Sequence, residues 1–211
     1  MTFKIAIDGY AAAGKGTIAK GVAGYFGFSY LDTGLIYRAV AQLALSKSKG
    51  TLSKDALIDI ARSFEPKHLE LENLRSDQVG TFASKISALP EIRLELINFQ
   101  RCFASKGEGS ILDGRDIGTI VIPDARLKLF VTADLNIRAQ RRYKDLYRKD
   151  KRTIFSKVMN DLSNRDQLDS NREHAPLKIS SDAHLIDTTE LSIEASIAYV
   201  IKLVNSIRRA E

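Results

Sequence analysis

The stretch Ile7 to Thr17, IDGYAAAGKGT, decides how the chain is read. Gly9 to Lys15 fit the spacing G-x-x-x-x-G-K, which makes a phosphate-binding loop when a strand precedes it and a helix follows. Both are present in pattern. FKIAID (3–8) is a short apolar run of strand character, and Ile18, Val22 and Phe26 recur at i, i+4 and i+8, one face of a helix. A loop so placed aims backbone N–H groups at phosphate oxygens. Gly9 and Gly14 permit the backbone angles and the close approach, and a helix N-terminus favours an anion by roughly 0.3–1 kcal/mol when exposed. Lys15 adds a full positive charge. Gly9, Tyr10, Ala11, Ala12, Ala13, Gly14, Lys15, Gly16 and Thr17 are therefore the expected phosphate segment. Gly16 stands where the common pattern has Ser or Thr, the hydroxyl that meets Mg2+, and Thr17 comes one residue later.

Other apolar runs follow. FSYLD (28–32), SILD (110–113), LKLFVT (127–132) and HLID (184–187) read as buried strands. Ile36, Val40 and Leu43 mark a second helix, and Ile197, Val200, Ile201 and Val204 a closing one. Strands alternating with helices predict an α/β fold, a parallel sheet covered on both faces. About eighty residues separate the second and third strands, far beyond one crossover. Helical patterns in KDALIDIARSF and in Ile92, Leu96, Phe99 and Phe103 make that interval a mostly helical inserted lobe. The charge-dense stretch 148–176 reads as a mobile cover. A single domain is expected over 1–211, with a core of roughly 1–45, 105–147 and 177–211, an inserted lobe of roughly 46–104 and a lid of roughly 148–176.

The charge is +6, from 32 basic and 26 acidic residues. Such a surplus suits either nucleic acid or an enzyme handling several phosphates, so the placement of the charges has to decide. No apolar run approaches a membrane span, and MTFKIAIDG lacks the marks of a signal peptide. One cysteine, Cys102, excludes an internal disulfide and fits a reducing cytoplasm. His68, His174 and His184 lie far apart without zinc-ligand spacing.

Three further blocks carry polar chemistry. LDTGLIYRA (31–39) puts Tyr37 and Arg38 in the first turns of a helix, beside the cleft expected at a strand's C-terminal end. LDGRDIGTIVIPDA (112–125) ends a strand on Asp113, placed to orient the water shell of a metal. NRDQLDSNREHAPL (164–177) sets Arg165, Asp169 and Arg172 at spacings that share one helical face. IRAQRRYKDLYR (137–148) makes a basic stripe of Arg138, Arg141 and Arg142, suited to closing over a phosphate donor. The absence of N-K-x-D disfavours a guanine-specific GTPase.

Taken together, IDG…GKGT, LDTGLIYR, LDGRDIGTIVIPDA, IRAQRRYKDL and RDQLDSNREHAPL resemble the bacterial cytidylate kinase family, from Ile5 to about Thr188. The resemblance implies a P-loop kinase fold with five parallel strands, and transfer of the γ-phosphoryl of ATP to CMP or dCMP with Mg2+. It makes Lys15, Asp113, Arg115, Arg138 and Arg142 catalytic, with Thr17 and Asp113 toward the metal through water. By the same resemblance Thr33, Tyr37 and Arg38 lie near the acceptor's phosphate and sugar. Ser84, Arg93 and Asp116 face the cytosine, Arg115 and Arg172 its phosphate, and Arg165 and Asp169 the sugar hydroxyls. A cytoplasmic monomer is expected, with no nucleic acid and no membrane.

Cytosine offers an N4 donor and N3 and O2 acceptors. A carboxylate such as Asp116 accepts from N4, and Arg93 donates to N3 and O2. Uracil reverses the pattern at positions 4 and 3, and a buried polar site left unpaired rejects the wrong base by up to ~10⁴ or more. The chain departs from the family in two places. Tyr10 and Ala11 stand where relatives commonly have Pro, Ser or Gly, and the lobe is short between Phe64 and Ser84, without a β-rich excursion. The second departure implies looser selectivity. Rival readings are a kinase of UMP or of a non-nucleotide acceptor, and an ATP-switched RNA-binding protein, although no RNA-binding motif is present.

Overall fold

The structure, a computed structural model, describes residues 2–47 and 52–209. The first residues of the expected lobe (48–51) and the chain ends lie outside the described residues. Strand β1 (Phe3–Gly9) leads through the glycine loop into α1 (Lys15–Phe26), then β2 (Ser29–Asp32) and α2 (Thr33–Lys47). Helices α3 (Lys54–Arg62), α4 (Asp77–Ile86) and α5 (Pro90–Ala104) follow, with a 3-10 turn at Pro66–Glu70. Strand β3 (Gly109–Gly114) runs into a wide helical turn at Ile117–Val121, then β4 (Leu127–Thr132), α6 (Leu135–Lys149) and α7 (Phe155–Ser170). Strand β5 (His184–Asp187) and α8 (Ile193–Arg209) complete the described elements.

The five strands form one parallel sheet in the order β2-β3-β1-β4-β5. The expected strands all appear within one residue; only Phe28 falls outside β2. Alternation along β1 explains the layering. Ile5 and Ile7 face one side and meet Ile18 and Val22 of α1 and Val200 and Val204 of α8. Ala6 faces the other, where α2 and α5 bring Ile36, Val40, Ile92 and Leu96. A third, small cluster of Ala139, Val158 and Leu162 joins α6 to α7 and touches Ala11 of the loop. Between Phe64 and Ser84 the chain forms the 3-10 turn and the start of α4, as the short lobe required. The stretch 148–176 is more regular than expected, since α7 fills most of it.

At Gly9 a side chain would run into backbone. Its φ is +141°, and a Cβ there would lie 2.8 Å from the Val131 carbonyl carbon and closer still to its oxygen. Backbone of the neighbouring strand therefore occupies the place of the side chain. Gly107, also at positive φ (+70°), faces open space. Gly9→Ala should lose about 3 kcal/mol or more in urea unfolding, through strain and overpacking, and Gly107→Ala about 1 kcal/mol. Equal losses at the two sites would mean that β4 yields to the added methyl.

Candidate active site

The C-terminal ends of β1, β2 and β3 open into one cleft of about 790 Å³, within the range of small-molecule sites. The glycine loop forms one wall. Its carbonyls are taken up from outside: Lys15 Nζ donates to Tyr10 O at 2.8 Å, Arg138 to Ala11 O at 3.3 Å and Thr188 Oγ1 to Ala13 O at 2.9 Å. Ala12 takes φ +58°, an unusual angle for alanine. Helix α1 begins at Lys15 with Gly14 as its N-cap, so first-turn N–H groups are presented at the cleft. Tyr10, the unusual loop residue, lies behind this wall. Its ring meets Phe130 edge-on and carries the Arg138 guanidinium 5.0 Å from its centroid.

Asp113, at the end of β3, stands beside the loop. Tyr30 Oη donates to Asp113 Oδ1 at 3.4 Å, and Thr33 Oγ1 to the Asp113 carbonyl at 2.7 Å. A Cβ on Gly16 would lie 3.3 Å from Tyr30 Oη and 3.4 Å from Asp113 Oδ2. The glycine thus leaves space between loop and carboxylate where other loops carry a hydroxyl. Burial pushes the Lys15 ammonium down and the Asp113 carboxyl up, each opposed by the charge of the other.

The opposite wall centres on Asp169, 1% exposed. Arg115 Nε donates to it at 2.7 Å, Arg172 pairs with it, Ser84 Oγ donates at 3.4 Å, and Arg165 Nε stands 3.9 Å away. Burial would raise this carboxyl, but the arginines hold it below the usual carboxylate range. Arg172 lies just past the end of α7, so the three residues do not share one helical face as expected; the chain turns at Asn171 and brings Arg172 back. Burial and the neighbouring cations Arg115, Arg38 and Arg142 push Arg165 down to about 10. Its buried Nε has no hydrogen-bond partner among the described residues. More positive charge therefore converges here than the carboxylate neutralises.

Deeper on this side, Arg93 and Asp116 form a buried ion pair, with side chains 11% and 7% exposed. Arg93 also lies over the Tyr37 ring, 5.5 Å from its centroid, and donates to Ser87 O at 3.1 Å. Arg38 is anchored by Leu74 O (2.8 Å) and Ser76 O (3.2 Å), which ties α2 to the start of α4. Arg142 reaches from α6 to Asp77 of α4 at 2.6 Å.

The cleft thus brings together nearly all the residues expected from sequence: Ala11 to Thr17, Thr33, Tyr37, Arg38, Ser84, Arg93, Asp113, Arg115, Asp116, Arg142, Arg165, Asp169 and Arg172. Gly9, Tyr10 and Arg138 do not line it. For Arg138 this corrects the expected stripe. Its side chain is 6% exposed and is turned under the loop, held by Ala133 O (2.9 Å), Ala11 O and Asp166 (2.5 Å). Arg141 is fixed at the rim by Thr188 Oγ1 (3.0 Å) and Thr188 O (2.7 Å). Sequence reasoning missed Lys20, Tyr30, Leu191 and Ile193, which also line the cleft. Leu191 and Ile193 directly follow the last strand, and position beyond a strand's C-terminal end was the available signal.

Behind the cleft, Asp8 is 5% exposed and accepts from Ile117 N and Gly118 N, both at 2.8 Å. Burial, with Asp116 adding to it, outweighs these bonds and the pull of Lys15 and pushes its carboxyl up to about 6. A raised folded value stabilises at low pH, and that contribution is lost as pH rises through about 6. Relative to Asp8→Asn, the wild type should lose on the order of 2 kcal/mol between pH 4.5 and 7.5 in denaturant titrations. A pH-independent difference would show that Asp8 remains ionised throughout.

Comparison with known proteins follows the same lines as the geometry. The model of the cytidylate kinase family matches residues 5–206. The cytidylate kinase of Azorhizobium caulinodans is 46% identical over 204 residues, 97% of this chain and 98% of that protein. That of Cereibacter sphaeroides is 45% identical over 211 residues, covering 100% and 98%. Among solved structures, shikimate kinase from Bacteroides thetaiotaomicron superposes with a TM-score of 0.52 at 12% identity, over 96% of this chain and 98% of that one, a likeness of P-loop kinase fold. With the family model spanning nearly the whole sequence and these relatives matching it end to end, the chain belongs to the cytidylate kinase family, a family of phosphotransferases.

Proposed function

We propose that the protein transfers the γ-phosphoryl group of ATP to CMP and dCMP, giving CDP and dCDP. The observation that carries this reading is the meeting, in one cleft, of a phosphate loop with two separate cationic groups. Lys15 serves the first, and Arg115, Arg165 and Arg172 around Asp169 the second. Arg93 and Asp116 supply a donor and an acceptor matched to cytosine, with Ser84 and Tyr37 beside them. Leu191 and Ile193, 42% and 56% exposed, offer the rim an apolar surface for a purine face. The boundaries of acceptor lobe and lid are proposed as read from sequence.

The reaction is an in-line displacement. An oxygen of the acceptor's phosphate attacks the γ-phosphorus, and the bond to the ADP oxygen breaks. The acceptor oxygen is already ionised, so the protein's task is to bring two anions together and to stabilise charge on the transferring group. Loop N–H groups and Lys15 hold the donor. Arg38, Arg115 and Arg172 hold the acceptor phosphate, Arg165 and Asp169 reach its sugar, and Arg142 is one of the α6 arginines within the cleft. The oxygen donors Thr17 and Asp113, with the space left by Gly16, fit Mg2+, which keeps most of its waters and takes few protein ligands. When held there by Thr17 and Asp113, Mg2+ would supply positive charge to offset that of the donor phosphates.

The test is ADP release with ATP and Mg2+ and each of CMP, dCMP, UMP and AMP. CMP and dCMP should be strongly preferred, and Asp116→Ala should lower kcat/KM for CMP by about 10²-fold and shrink its preference over UMP. Equal use of UMP by the wild type would sink the cytosine reading, and no turnover with any nucleotide would sink the kinase itself. Arg142 and Arg138 of α6 separate by their failures. Arg142→Ala should keep the melting temperature and lose about 10²-fold in kcat, whereas Arg138→Ala should cost about 3 kcal/mol of stability by stranding Asp166.

A further inference from the structure

Asp116 sits at the head of the Ile117–Val121 turn, in the N-cap position. An aspartate there ordinarily folds its carboxylate back onto the N–H groups of its own turn. Asp116 does not: it makes no side-chain cap bond, and its carboxylate pairs with Arg93 at the cleft. Two N–H groups at the head of that turn, Gly118 N among those a cap would take, are already occupied. Ile117 N donates to Asp8 Oδ1 and Gly118 N to Asp8 Oδ2, each at 2.8 Å, across 109 and 110 residues of sequence. Asp8 itself does not line the cleft.

We propose that Asp8 is a positioning residue for base selection, capping the turn from outside so that the Asp116 carboxylate remains turned toward the acceptor's base. The inference rests on the reading of Asp116 as the partner of cytosine N4. Two features support it beyond the bonds themselves. Asp8 belongs to β1, the central strand, paired on both sides, and so fixes the turn to the middle of the sheet. Its negative charge also repels Asp116 from the same N–H groups. Arg115, the residue before Asp116, leaves the same segment for Asp169, so the turn's position bears on both phosphate and base.

Asp8→Asn keeps one oxygen acceptor and places an amide N–H against the other backbone N–H, which frees that group for Asp116. Steady-state kinetics with CMP and UMP, and calorimetric binding of a non-hydrolysable ATP analogue, read the effect. The preference for CMP over UMP should fall at least tenfold with a raised KM for CMP, while ATP-analogue affinity changes less than threefold. Adding Asp116→Ala should cost little further discrimination, because both changes remove the same carboxylate from the base. If Asp8→Asn melts below the assay temperature, Asp8→Ser, which keeps a short oxygen acceptor, replaces it. A folded variant with unchanged discrimination, or full additivity with Asp116→Ala, overturns the proposal and leaves the kinase reading standing. A wild type indifferent to the base overturns the proposal together with the cytosine reading on which it rests, and leaves the kinase.

Discussion

One buried carboxylate, Asp169, holds the arginine-lined wall of the cleft in place. It belongs to α7, yet its partners come from the turn after β3, from α4 and from the chain beyond α7. Like charges would otherwise drive Arg115, Arg165 and Arg172 apart. With one anion among them they stay within a few ångströms, each still offering N–H groups outward. The cluster is poor in net stability, because desolvating several charges costs much of what their attraction returns. Its value lies in arrangement: a surplus of fixed positive charge stands where a phosphate can complete the balance.

The phosphate-loop wall is organised by the opposite means. It is backbone, and side chains serve chiefly to hold carbonyls back. Lys15, Arg138 and Thr188 each take one loop carbonyl, leaving N–H groups of the helix start to define the electrostatics of the wall. Arg138 works from beneath, packed on Tyr10 and neutralised by Asp166. The tyrosine that departs from the usual loop is thus part of a local foundation, joined through Ala11 to the small core between α6 and α7.

Much of this was legible in the sequence. Five strands and the phosphate loop follow from short-range pattern, since period and turn chemistry are local properties. Ser84, Arg93 and Asp116 came from resemblance to a family, and the structure brings them into one cleft. What was not legible depended on direction rather than identity. Arg138, Arg141 and Arg142 lie at stripe spacing, but the helix cap at Asp134 and the proximity of Ala133 O turn Arg138 inward while Arg142 stays in the cleft. Arg172 kept its partner although α7 ends two residues before it. Asp8 read as the last residue of a strand, because nothing local marks a carboxylate whose acceptor role lies more than a hundred residues downstream.

The central place of β1 has a consequence for synthesis. This strand, made before both of its partners, pairs on one side with β3, Phe3 opposite Gly109, and on the other with β4, Ile5 opposite Leu127. At roughly 5–20 residues per second, its neighbours follow it from the ribosome only after about 5–20 s. During that interval an apolar strand and its glycine loop have no sheet to join. Residues buried at the centre of the finished sheet are thus without their neighbours in the growing chain until β3 and β4 emerge, a demand on chaperoning set by strand order alone.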